Sequence, residues 1–253
     1  MHNAQTDHGL RAGHQAEQIR ARVKDTGRED YMGDAVLGAV DGSITTFAVV
    51  AGAIGGGFSN IVIIVLGLAK LIADGISMAV SNYLRARVAG ERIAAARKME
   101  HRHIDLVPEG EREEVRIIFA NKGLSGENLD AVVDAITQDR ELWVDTMLQE
   151  ELNLPTRAPH PLRAAGFTFL AFVLVGFIPL APFLLLNLGF EDVFVVSGAL
   201  TMLAFFGVGA LRGRSMGGSS LRAGFETLLT GGAAAGSAYG IGRLLQGFVG
   251  GSG

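Results

Sequence analysis

Apolar stretches gather at two places along the chain, and a polar, densely charged segment separates them. Positions 35–58 and 61–84 form the first group, and 164–190, 193–211 and 223–242 the second. A helix of about 20 predominantly apolar residues crosses a bilayer, so the pattern predicts five transmembrane helices. The stretch 164–190 contains no Asp, Glu, Lys or Arg, and Pro179 and Pro182 predict a bend within it that neighbouring helices can tolerate. Gly and Ala dominate 223–242, whose run GGAAAGSAYGIG predicts a helix packed against protein. The spacings Gly38/Gly42 and Gly52/Gly56 in the first span likewise suit close helix approach.

The middle segment reads as four helical pieces. The second span continues into water through RARVAGERIAAARKMEHRHI with no breaker before Pro108. A second helix is predicted over 109–121, ending at Gly123. A third begins after Ser125, a residue type suited to capping a helix N-terminus, and a fourth carries RELWVDTMLQEELNL ahead of Pro155. The predicted fold class is therefore all-α: a polytopic membrane protein with five transmembrane helices and a cytosolic helical insert. Its parts are a tail (1–34), helices 1 and 2 (35–84), the insert (85–163) and helices 3–5 (164–253).

Composition agrees with two solvents. Mean hydropathy is +0.32 and only 19% of residues are charged, which is too oily for an ordinary soluble fold. Of the charged residues, 27 fall in 85–163 and 11 in 1–34, leaving 10 for all the remaining positions. Net charge is −4 with no long basic run, which argues against nucleic acid as a partner. Cysteine is absent, so disulfides, thiolate nucleophiles and Cys-ligated zinc are excluded. The polar first 34 residues carry no signal-peptide pattern, so the first apolar stretch is expected to remain as an anchor. The turns 57–60 and 187–192 hold no Lys or Arg, whereas Arg85, Arg87, Arg163, Arg212, Arg214 and Arg222 mark the other ends of the spans. The excess of basic residues on one side predicts a cytosolic N-terminus and insert, with the C-terminus outside.

Ionisable groups inside a bilayer are costly and point to function. Three lie away from the predicted span ends: Asp41, Lys70 and Asp74. At ~1.5 Å per residue, Asp41 and Met78 each lie about 9 Å from the cytosolic end of their spans, at matching depth. A carboxylate facing a thioether suits a borderline-soft divalent cation. The plainer alternatives are a core-filling Met78 and an Asp41 that hydrogen-bonds beside Gly38 and Gly42. Asp34 is two turns before Asp41 at the cytosolic mouth, as part of a path or as an ordinary interfacial charge. Lys70 and Asp74 are about 21 and 15 Å deep by the same rise. Their i,i+4 spacing predicts an ion pair, the alternative being a Lys70 that reaches outward to water.

In the insert, Glu100 and His103 are three apart, as are Glu111 and Glu114, so each pair shares a helix face. The pairs sit on consecutive helices joined by a Pro turn, and Met147 with Glu151 on the last helix could complete a carboxylate–imidazole–thioether cluster. Such a set suits Fe²⁺ or Mn²⁺, with Zn²⁺ and Co²⁺ as alternatives. A solvated acidic face is the bland reading of the same residues. Neither a nucleophile elbow nor a nucleotide fingerprint is present, and GAIGGG falls at a span end and is no phosphate loop. An enzyme and an ATP-driven pump are both disfavoured, and no resident cofactor is expected.

Several motifs in one order resemble the vacuolar iron transporter family: DAVLGAVDGSITTFAVVAG, ISMAVSNYL, GL…W…M…EELNL, GFIPLAPFLL and LRAGFET. The resemblance runs from about residue 33 to 245. It implies five spans, a homodimer with the ion path between the two first-span helices, and proton-coupled export of Fe²⁺ from the cytosol. The membrane is then the inner membrane of a bacterium or the vacuolar membrane of a eukaryote. The family's path carboxylate falls on Asp41 and its path methionine on Met78. Its insert ligands fall on Glu100, His103, Glu111, Glu114, Met147 and Glu151. Three departures stand out: His103 in place of Glu, Leu148 in place of Met, and Lys70 where members have Glu. A membrane-bound metal sensor or buffer with the same insert is the rival reading.

Overall fold

The computed structural model describes residues 16, 17, 20, 31–186 and 189–250. From Tyr31 onward they form nine helices: α1 (Met32–Gly55), α2 (Asn60–Leu106), α3 (Pro108–Asn121), α4 (Gly126–Gln138), α5 (Arg140–Glu150), α6 (Pro161–Gly176), α7 (Ala181–Leu185), α8 (Phe190–Ser215) and α9 (Ser220–Gly250). No strand occurs among the described residues. The chain divides into two compact units, Tyr31–Val88 with His160–Gly253, and Ala89–Pro159.

In the first unit α1 packs against α6, α8 and α9. Glycine makes these approaches close. A Cβ on Gly38 or Gly42 would lie 2.3 Å from the Thr168 carbonyl oxygen or 2.4 Å from that of Phe172, on α6. On the α9 side, a Cβ on Gly55 would meet the Tyr239 carbonyl at 2.3 Å, and one on Gly242 the Gly52 carbonyl at 2.2 Å. Backbone contact of this kind replaces the hydrophobic driving force that lipid removes between helices. The apolar half of α2 joins through side chains: Ile63 and Leu71 share a buried cluster with Val50, Phe172, Leu180 and Phe183.

Three of these helices, α1, α2 and Glu191–Ser215 of α8, are long and apolar enough to cross a membrane, and α6 is apolar but shorter. The stretch predicted as one bent helix over 164–190 is instead broken into α6 and the five-residue α7. Pro179 and Pro182 lack the N–H that would continue the ladder, and the Ser197 hydroxyl of α8 donates to the stranded Pro179 carbonyl at 2.6 Å. The predicted 223–242 helix is α9, which runs further at both ends.

The second unit contains the charged half of α2 with α3, α4 and α5. Ile104, Val115, Leu129, Val133, Ile136, Trp143, Val144, Met147 and Leu148 form its buried core. The predicted breaker acts as expected: α2 ends at Leu106 and Pro108 opens α3 at a position where a missing N–H costs nothing. Ser125 does precede α4 in extended conformation, but its side chain makes no capping hydrogen bond. The working cap belongs to Asp139, whose carboxylate accepts from the Glu141 and Leu142 amides at 3.0 and 3.2 Å. Asp139→Ala is expected to lower the stability of this unit by about 1 kcal/mol, read as a fall in urea midpoint with unchanged slope. Arg97 pairs with Glu141 and Asp145, and Arg112 with Asp134, around the rim.

Candidate metal centre

Within Ala89–Pro159, α2 presents Glu100 and His103 one turn apart, and α3 presents Glu111 in its first turn. Their ligand atoms all lie within 4.8 Å of one another. His103 Nδ1 is 3.2 Å from Glu111 Oε1. Glu100 is 1% exposed and Glu111 3%. Both carboxylate oxygens of Glu100, and Oε2 of Glu111, are buried with no hydrogen-bond partner among the described residues. Leaving carboxylate oxygens unpaired in a core is costly, and a protein normally satisfies them. A divalent cation does so directly, and a hard-oxygen set with one imidazole fits Fe²⁺ or Mn²⁺.

Electrostatics point the same way. Burial, reinforced by the charges of Glu111 and Glu151, pushes Glu100 up to about 7. Burial, followed by the charge of Glu114, also raises Glu111. Glu151 is raised by burial and then by Glu114. Glu114 and Glu151 thus act on the group through charge, although they lie outside the three-residue cluster. Met147 is fully buried in the apolar core of this unit. Leu148, where the resemblance implies a second methionine, is equally buried there.

In the unit of Tyr31–Val88 and His160–Gly253, Asp41 is on an exposed face of α1 and has no hydrogen-bond or ion-pair partner among the described residues. Thr45, one turn further along α1, has a buried hydroxyl oxygen without a partner among the described residues. Asp34, two turns shallower, accepts from Arg85 of α2 at 2.8 Å. Asn82 lies beside this pair: its amide donates to the Thr168 hydroxyl at 2.7 Å and the Ala164 carbonyl at 3.1 Å, and its oxygen accepts from Arg85 at 2.7 Å. Asn82 carried no expected role, although it stands in ISMAVSNYL, one turn from Met78. A buried amide with four satisfiable sites among apolar residues was the available signal.

Met78 is partly buried and packs against the cluster of Val50, Leu71 and Phe172. Lys70 forms an ion pair with Asp74 on α2. Both are close enough to Asp41 for their charges to act on its carboxylate.

A sequence model of the VIT family matches residues 32–243. Vacuolar iron transporter 1 of Arabidopsis thaliana is 34% identical over 214 residues, which cover 84% of this chain and 85% of that protein. The vacuolar iron transporter of Toxoplasma gondii is 31% identical over 230 residues, 87% of this chain and 76% of the relative. Vacuolar iron transporter 1 of Eucalyptus grandis is 30% identical over 214 residues, covering 84% and 86%.

Proposed function

The chain belongs to the VIT family, and on that premise we propose that it transports Fe²⁺, and Mn²⁺ as a second substrate, out of the cytosol in exchange for protons. It is a transporter and not an enzyme. The observation that carries the metal chemistry is the Glu100–His103–Glu111 cluster, in which both glutamates are buried and three carboxylate oxygens have no partner among the described residues. Similarity over most of the chain to relatives named as iron transporters supports movement of the ion across a membrane as well as its capture.

In this reading five segments span the bilayer: α1, the apolar half of α2, α6 with α7, α8 and α9. Residues 85–163 then form the cytosolic insert that loads metal, the N-terminus is cytosolic and the C-terminus lies outside. The active unit is a homodimer with the path between the two copies of α1. An Asp41 that faces outward from an apolar helix supports this, because a carboxylate is poorly tolerated against lipid and a second copy would cover it. Asp41, Asp34, Met78, Lys70 and Asp74 line the path, and Glu114, Met147 and Glu151 assist the insert cluster.

A metal buffer or sensor is favoured by one fact, that the three-residue cluster is built without any membrane residue. Uptake into sealed liposomes, with Fe²⁺, Mn²⁺, Co²⁺ and Zn²⁺ compared under an imposed pH gradient, separates the readings. Transport predicts accumulation of Fe²⁺ and Mn²⁺ that collapses with the gradient, whereas a buffer predicts none. Orientation has its own test. A reporter fused after Gly253 is expected outside and one inserted near Glu127 in the cytosol; finding both on one side would remove a span, α9 first.

A further inference from the structure

Asp41, Asp74 and Lys70 are the ionisable groups placed inside the predicted spans away from their ends. They make a ladder about 9, 15 and 21 Å from the cytosolic end by helical rise. Lys70 donates to Asp74, which is its sole hydrogen-bond acceptor among the described residues. An ammonium has three donors, so this one is held by a single contact. The pair is not sealed in a core either: the Lys70 side chain is 29% exposed and that of Asp74 46%. A structural ion pair in an apolar setting needs additional hydrogen bonds to offset desolvation, and here none is made. The flexible four-carbon stem allows the ammonium to swing without movement of the helix.

Charge arithmetic then gives Lys70 a task. Two carboxylates and one ammonium leave the ladder at −1 when it is empty. A divalent ion between Asp41 and Asp74 would meet a competitor already seated on the second carboxylate. We propose that Lys70 is a tethered cation that occupies Asp74 in the metal-free protein and releases it when a divalent ion advances from Asp41. Resting on the transport reading above, this makes Lys70 the residue that sets apparent affinity and lets the ion go. Without the ammonium, the ion is held by two carboxylates with nothing to displace it. Binding tightens and release slows.

The test is Mn²⁺ uptake by the full chain in liposomes, with half-saturating concentration and maximal rate measured separately. Lys70→Gln is expected to lower half-saturation about tenfold, the order of effect of removing one nearby charge, and to slow the maximal rate severalfold. Lys70→Arg is expected to fall closer to wild type, and Lys70→Gln/Asp74→Asn to bring half-saturation back toward it. Asp74→Asn alone should raise half-saturation, because it removes a ligand and frees the ammonium to repel the ion. This variant decides the matter if Lys70→Gln does not fold. Unchanged half-saturation in Lys70→Gln, or in Asp74→Asn where Lys70→Gln is unfolded, overturns the tethered cation while wild-type uptake leaves the transport reading standing. Absence of uptake by wild type overturns both.

Discussion

Replacing Asp41 with Ala is expected to abolish metal transport, by at least two to three orders of magnitude in rate on an order-of-magnitude view, and to leave a folded, metal-binding protein. A divalent ion that leaves water for the interior of a helical bundle loses hydration that only charged or strongly polar ligands replace. Along the exposed face of α1 these ligands are few: Asp34 is already engaged by Arg85, and the neutral hydroxyl of Thr45 is buried. Asp41 is therefore the one carboxylate on that face with no partner among the described residues. Since its side chain makes no hydrogen bond or ion pair among the described residues, its loss leaves little structural cost. Assembly measured by size-exclusion chromatography, and metal binding by the intact Glu100 cluster, should both persist. Wild-type uptake by Asp41→Ala would sink the proposed path. Met78→Ala is the milder change, because Met78 packs into a core cluster and a lost thioether removes no charge.

The second large effect concerns Glu100. A proton and a metal compete for the same buried oxygens, and a carboxyl pushed up to about 7 is half protonated near neutral pH. Metal affinity is expected to fall steeply from pH 7.5 to 5.5. Stability of the metal-free protein should move the other way. Glu100 ionises near 4.5 in the unfolded chain and near 7 in the folded one. Its contribution is thus fully present below about pH 4.5 and is lost as pH rises through 7. Glu100→Gln keeps the shape and removes the buried charge. At pH 7.5 it should raise the metal-free Tm while it eliminates the metal-induced shift and lowers affinity roughly a hundredfold. Trp143 provides a direct readout, since it is the sole tryptophan and lies in the core one turn from Met147. A Glu100→Gln protein that binds Mn²⁺ as tightly as wild type, by quenching of that fluorescence, would dismiss the cluster as a metal site.

Local pattern sufficed for the helices whose limits are set by local chemistry. The uninterrupted run from Asn60 to Leu106, the stop at Pro108 and the close approach at Gly38 and Gly42 all follow from residue type and period. The pairing of Lys70 with Asp74 was equally legible, because i,i+4 neighbours on one helix meet wherever the helix lies. The break between α6 and α7 was half legible. Two prolines announce a disturbance, but whether a helix bends or ends depends on who accepts or donates to the freed backbone. That partner is Ser197, 18 residues further along the chain.

The candidate metal group shows the boundary most clearly. Spacing could place Glu100 with His103, and Glu111 with Glu114, as pairs. It could not say that Glu111 turns inward beside the buried Glu100, with the half-exposed His103 at its edge, while Glu114 stays at the surface, because that depends on how α3 rolls against α2. Nor could it show that Ser125 leaves its capping role unfilled and Asp139 takes one up, or that Asn82 ties Arg85 to Thr168. The sequence by itself determined the helical class, the apolar stretches, the metal-friendly residue types and the charges laid inside apolar helices, since all of these depend on composition and on neighbours within one turn. Only the tertiary structure decided which carboxylates are buried without partners, and so raised in proton affinity, because burial is a property of what other segments bring to a side chain.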